Sequence, residues 1–323
     1  MGTYRIMTFD GGGVLGALSL QLLNRLSKLT PQLVRKTDVF AGNSIGSITA
    51  MALASGRTPK ETFRFFKKEI LPAFSDPLPG GPVFNQQLSL SRFIKAIREF
   101  FPDDLRLKDL NPKVVIPSFH LYDPEVDRWN PVLFNNFPGS PYLNEKVSDV
   151  VLRSSAAPTA QRAYQNYVDG YLVATNPSTA CISFAVGKAC VPLNKIAVLS
   201  IGTGEQPTQL RRDTGGWGMV SADNIRPENL EDLPPNWGVL QDHSENEPLL
   251  PFLQITSSSS AYYESMVSKN LLGKRFYRLD PRIPNFSKTD PTAVPALIEI
   301  ANETDLEPAE RFVEKNWAAD VVL

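Results

Sequence analysis

Two glycine-flanked segments and one aspartate have the residue types and spacing that nucleophilic chemistry needs. Gly42-Asn43-Ser44-Ile45-Gly46 fits the pattern G-x-S-x-G. A reactive serine in that pattern sits on a sharp strand-to-helix turn with its hydroxyl exposed. Side chains two residues to either side would clash there, hence glycine at both. The plainer reading is a glycine-flanked turn bearing a surface serine, but an apolar strand pattern before the segment and a helical one after it favour the nucleophile. Asp10-Gly11-Gly12-Gly13-Val14-Leu15-Gly16 follows the first strand pattern and opens a helix. Consecutive glycines aim backbone N–H groups into one concavity at a helix N-terminus, a natural anion site. That concavity suits an oxyanion hole for acyl transfer. Gly11, Gly13 and Gly16 also fit the dinucleotide fingerprint G-x-G-x-x-G, which wants an acidic residue at the end of the second strand. That end carries Gly42-Asn43-Ser44, with Asp38 at the strand's start, so the oxyanion reading is preferred.

A serine nucleophile needs a base. The chain has 2 histidines, so imidazole is scarce. His120 lies in the mostly apolar stretch Ile116–Tyr122 and reads as a core histidine, while His243 lies in the hydrophilic stretch Gln241–Glu245 and reads as solvated. The order serine, acid, histidine leaves a Ser44-Asp169-His243 triad formally open. Against it, enzymes with that order build several strands before the serine turn, and here only two precede Ser44. Asp169 is a base without imidazole. It ends a short apolar run and precedes Gly170, which permits close backbone approach. A carboxylate with an ordinary pKa near 3.9 is a weak base, so burial beside the serine would have to raise it. Asp-Gly alone is also an ordinary turn dipeptide.

Composition removes other classes. Lys+Arg number 33 against 34 Asp+Glu, a net charge of −1, which supplies no basic excess for a nucleic-acid backbone. Cys181 and Cys190 are too few for a disulfide framework or a four-ligand zinc site. No metal or organic cofactor is implied, and no calcium loop is evident. The N-terminal apolar run Ile6–Phe9 stops at Asp10, short of the roughly 7–15 residues of a signal peptide core. Ile6 stands where a myristoylation motif wants Ser or Thr. The expectation is a soluble cytoplasmic protein with peripheral membrane contact open.

The positioning elements follow from periodicity. Strand patterns occupy Tyr4–Phe9, Val39–Ala41, Val114–Phe119 and Ile196–Ile201. Helical patterns occupy Leu15–Leu29, Ile45–Ala54, Phe63–Leu71 and Arg92–Phe100, and Thr58-Pro59-Lys60-Glu61 is a capped helix start. This alternation is that of a parallel sheet covered by helices. Between Gly204 and Pro251 periodicity is lost, Pro, Asn, Asp and Glu are dense, and Trp217 and Trp237 are the main apolar anchors, the texture of a lid or insertion. Helices resume near Leu253–Ser268, Pro295–Ala301 and Glu307–Trp317. No linker splits the chain, so one domain over 1–323 is expected: a motif-bearing core 4–204, a loop-rich part 205–251 and a helical part 252–323. Phe63, Phe66, Ile70 and Phe74 share a helical face near Lys67-Lys68, which suits either the core or a lipid interface.

Taken together, the segments resemble the patatin-like phospholipases, a family of Ser-Asp dyad lipid acyl hydrolases. The matches are Asp10–Gly16, Gly42–Gly46 and Asp169-Gly170, supported by Ser154–Thr159, Thr175-Asn176-Pro177 and Leu199–Gly204. The resemblance implies an α/β class, a three-layer α/β/α fold with a mainly parallel central sheet. It implies Ser44 as nucleophile, Asp169 as its base and the amides of Gly11, Gly12 and Gly13 as oxyanion donors, with a phospholipid or other acyl lipid as substrate. Two departures stand out: Leu15 replaces the basic residue usual in the glycine-rich motif, and Tyr171 replaces a small residue after Asp-Gly, where it would narrow the acyl pocket. A general carboxylesterase using His243 and a low-activity storage or binding protein remain the competing readings.

Overall fold

The computed structural model describes residues 2–74, 90–158, 160–217, 247 and 251–317. In chain order the first half gives β1 (Tyr4–Phe9), α1 (Gly16–Leu29), β2 (Val39–Gly42), α2 (Ile45–Ala54), α3 (Pro59–Phe65) and α4 (Leu90–Phe100). Then come β3 (Lys113–Asp123), β4 (Arg128–Asn135), α5 (Val147–Ser154), β5 (Tyr167–Asp169), α6 (Ser178–Gly187) and β6 (Ile196–Ile201). The last part supplies α7 (Pro251–Leu272), β7 (Phe276–Leu279), α8 (Val294–Glu303) and α9 (Glu307–Trp317).

Side-chain alternation along buried strands decides the layering. In β1, Ile6 points into one core while Met7 and Phe9 point into another. Val39 and Ala41 of β2 follow Ile6, and Phe40 follows Met7. Each strand is apolar on both faces, as a sheet covered on both sides requires. The larger core, on the Met7 face, includes residues of α1, α2, α4, α5, α8 and α9; the smaller is sealed by Cys181, Ile182 and Ala185 of α6 and Leu272 of α7. The result is a three-layer α/β/α arrangement.

The sheet has the order β4-β3-β2-β1-β6-β7, with β5 paired to β3. Strands β1, β2, β3, β6 and β7 run parallel, while β4 and β5 run antiparallel to β3. Residues Lys113–Val115 of β3 pair with β2, and Ser118–His120 pair with β5. β5 therefore lies on the β2 side of β3, beyond the end of β2, and runs back towards it.

Thr58 caps α3 with the expected box: its hydroxyl accepts the Glu61 amide at 3.2 Å, and its own amide donates to the Glu61 carboxylate at 2.8 Å. The helix widens into a π turn at Phe66–Ile70 and tightens again at Leu71–Phe74. Phe63, Phe66, Ile70 and Phe74 are all buried in the larger core, so this face is packing and not a lipid interface. No helix among the described residues is long and apolar enough to cross a membrane.

The part expected to be only helical also supplies β7, which ties the chain's end to its start. Arg278 of β7 sits opposite Ser200 of β6 in register and donates to its hydroxyl at 2.8 Å. It then reaches past β6 to grip Asp10 at the end of β1 through both terminal nitrogens, and Asp280 at 2.6 Å. Removing one partner from such a buried cluster leaves uncompensated charge, at a cost of about 3–5 kcal/mol. Arg278→Leu should therefore lower the urea midpoint by a stability loss in that range, and Arg278→Lys, which keeps the charge without the fork, should lose less.

Candidate active site

The site is built where β1, β2 and β5 end. After β2 the chain turns through Asn43 and Ser44 directly into α2. Ser44 adopts φ 53° and ψ −122°, a strained conformation for a residue with a side chain. The flanking glycines make the turn possible by close approach. A Cβ on Gly42 would lie 2.0 Å from the carbonyl oxygen of Gly46, and one on Gly46 would lie 2.2 Å from that of Phe9. Asn43 and Ile45 are buried, whereas Ser44 is only partly so.

Asp169 reaches this turn through the sheet. It ends β5 opposite Ser118, while β2 pairs with the same β3 three residues earlier, at Val115 opposite Ala41. Asp169 is 1% exposed. Its carboxylate accepts the Tyr171 amide at 2.8 Å. The Ser44 hydroxyl and the buried Asn43 amide both lie near it and favour its charged form, and the Asn43 amide completes no bond of good geometry. Burial pushes Asp169 up to about 6, held from rising further by Ser44, the Tyr171 amide, Asn43 and the charge of Lys288. Tyr171 is half-buried, and burial raises its hydroxyl to about 12.

The three supporting segments brace this pair. The Ser154 hydroxyl accepts the Ser44 amide at 3.2 Å, and two residues on, the Ala156 carbonyl accepts the Asp169 amide at 2.9 Å. One short stretch from the last residue of α5 onward thus holds both residues. The Thr175 carbonyl accepts the Gly11 amide at 3.2 Å, and the Thr203 hydroxyl donates to the Gly11 carbonyl at 3.1 Å. Gly13, at φ 56°, lies so close to the Lys288 carbonyl that a Cβ would be 2.1 Å from it.

Of the three glycines proposed as donors, Gly11 already spends its amide on Thr175. The amides of Gly12 and Gly13 bond to no backbone carbonyl among the described residues. Gly16 packs the start of α1 onto Ile45, and Gly170 lies against the Pro117 carbonyl and the Asn43 side chain. Asp10 accepts Arg278 in the cluster at β7.

His120 stacks on Tyr167 with ring centroids 4.0 Å apart, and its charge is not among those acting on Asp169. His243, Trp237 and most of the loop-rich part lie outside the described residues. Three residues near the site had no sequence motif: Arg278, Asp280 and Lys288. The signal available for Arg278 was Asp10 itself, an acid between a buried strand and a glycine run, which demands a cation.

The family model described as patatin-like phospholipase matches residues 7–182, more than half of the chain. This chain belongs to that family. It is 74% identical over 319 residues to CotR of Bacillus subtilis (strain 168), which bears the provisional name of a sporulation hydrolase, covering 99% of this chain and 100% of that one. It is 74% identical over 317 residues to the protein teg of Priestia megaterium, covering 98% and 100%. A cGAMP-activated phospholipase of Vibrio cholerae is 27% identical over 257 residues, covering 67% of this chain and 70% of its own.

The tightness of the turn gives a direct check. Gly46→Ala would drive a methyl group into the β1 backbone, which cannot yield as a flexible side chain would, and should cost at least about 1–3 kcal/mol. Gly187→Ala, where a Cβ meets nothing within 4 Å, is the control and should leave the melting temperature unchanged or higher.

Proposed function

We propose that the protein is a lipid acyl hydrolase of the phospholipase A or lysophospholipase type, working through a Ser44–Asp169 dyad. The observation that carries the reading is the delivery of a buried carboxylate by β5 to the strained serine at the end of β2. Asp169 takes the Ser44 proton as the hydroxyl oxygen attacks the ester carbonyl carbon. The carbonyl oxygen becomes an oxyanion held by the Gly12 and Gly13 amides, donors of a kind worth about 3–4 kcal/mol each. Collapse of the tetrahedral intermediate breaks the ester C–O bond, and the leaving alkoxide takes the proton from Asp169. Water then gives a proton to Asp169 and attacks the acyl-serine, which releases the fatty acid and returns the proton to Ser44.

A base with its pKa lifted to about 6 is better matched to this task than an ordinary carboxylate while still ionised at neutral pH. Apolar surface for a lipid aggregate lies on α7, where Phe252, Ile255, Tyr262 and Met266 are exposed at helical spacing. The same helix touches the site through Ser257 and Ser260, which bond to Thr175.

Fatty-acid release from phospholipid and lysophospholipid vesicles tests the reading. Ser44→Ala should abolish it, and Asp169→Asn should lower kcat by about 10²–10⁴-fold. Only the ionised carboxylate is a base, so kcat/KM of the native enzyme should fall as pH falls through about 6. Unchanged release by Ser44→Ala would sink the proposal.

A further inference from the structure

Helix α7 is amphipathic in the reverse sense. A surface helix ordinarily turns its apolar stripe inward and its polar side to water. Here the inward side is hydroxylic. The Ser257 carbonyl accepts the Thr175 hydroxyl at 3.0 Å, and the Ser260 hydroxyl accepts the Thr175 amide at 3.2 Å. Further along, the Ser265 hydroxyl accepts the Asn176 side-chain amide at 3.0 Å, and Ser268 bonds the Ser178 hydroxyl at 2.8 Å. The outward side carries the apolar residues: Phe252 is 51% exposed, Ile255 45%, Tyr262 75%, Tyr263 58% and Met266 46%. Ser258 and Ser259 are the other exposed residues of this stretch, which runs about 21 Å along the helix.

Charge is missing from the outward face. Glu264 is the sole charged residue between Phe252 and Met266, and its carboxylate is turned inward, where it accepts the Thr179 amide at 3.1 Å. An exposed cation first appears at Lys269, beyond the apolar stretch. A partner recognised through charge therefore finds nothing to pair with along this face. An uncharged apolar boundary fits it, and the two tyrosines suit such a boundary, since each has a ring to bury and a hydroxyl to leave at the wet edge.

The helix also adjoins the site. Thr175, which α7 holds twice, accepts the Gly11 amide of the oxyanion loop on its carbonyl. α7 packs against the turn Gly170–Leu172 that follows Asp169, and Leu172 is itself 47% exposed.

We infer that the outward face of α7 docks the protein on an uncharged lipid surface, a zwitterionic phospholipid bilayer, with the helix lying in its interface. The inference rests on the lipid acyl hydrolase reading and gives it a partner: the substrate in its aggregated form, taken by apolar contact and not by headgroup charge.

The experiment is flotation of the Ser44→Ala chain with phosphatidylcholine vesicles at low and high salt. Binding should be unchanged by salt and by added phosphatidylglycerol. In that chain Ile255→Glu and Met266→Glu should each weaken it about tenfold or more, the scale of one apolar side chain withheld from burial. Trp129→Glu, on β4 at the opposite edge of the sheet from β7, should bind as its parent does. Circular dichroism follows folding, and Ile255→Ser and Met266→Ser, with the same expected direction, replace any glutamate variant that fails to fold. Absent vesicle binding, binding that needs anionic lipid or low salt, or undiminished binding by folded α7 variants would overturn the inference. So would a dimer in solution that the same variants dissociate, because a second copy would then cover the face. The two readings fail separately. Vesicles bound without fatty-acid release by the native chain contradict the hydrolase reading, and release without binding through α7 contradicts only the docking face.

Discussion

The proposed reaction turns on one electrostatic constraint: a carboxylate must be buried deeply enough to become a useful base, yet remain charged. Burial alone penalises the ionised form and would eventually keep the proton on Asp169 for good. The molecule offsets that penalty with neutral polar groups, the nearby Ser44 hydroxyl and the Tyr171 amide that donates to the carboxylate at 2.8 Å. The outcome is an intermediate acidity near 6. Imidazole starts near that value unaided, and so a chain that places its aspartate in this way can do without it.

The parallel sheet gives the constraint its geometry. Strands β1 and β2 end side by side, so the glycine-rich loop and the serine turn open at the same edge. Strand β5, antiparallel to β3, brings Asp169 in from the opposite direction, against the end of β2. Ser154 and Ala156 then bind the serine and the aspartate to one backbone stretch, so that their separation does not depend on distant elements. The Arg278 cluster plays a comparable part for the loop by holding Asp10, the residue from which the glycines spring.

Much of this was readable in the sequence because it is local. The elbow needs glycine at positions 42 and 46, and β1, α2 and β6 are long enough for their apolar patterns to show their bounds. Other parts were hidden for physical reasons. β5 has three residues, too few for a period. β4 contains Pro131 and two asparagines, tolerable only because it is an edge strand. The Phe63–Phe74 face had two readings in sequence, and only the packing of the α3 region against the larger core decides between them. Arg278 meets Asp10 across more than two hundred residues, with no spacing rule to announce it. The glycine motif could not show which of its amides are uncommitted, since that depends on where the Thr175 carbonyl lies.

The central claim is that serine activation here needs a buried aspartate and no imidazole. Its most direct measurement is the phosphonylation of a chain carrying both His120→Phe and His243→Ala, with the adduct located by mass spectrometry after treatment with a fluorophosphonate. The account predicts a single adduct on the peptide containing Ser44, formed at a rate comparable to that of the native chain. No adduct, or a rate lower by the 10²–10⁴-fold that a lost general base typically costs, would contradict it.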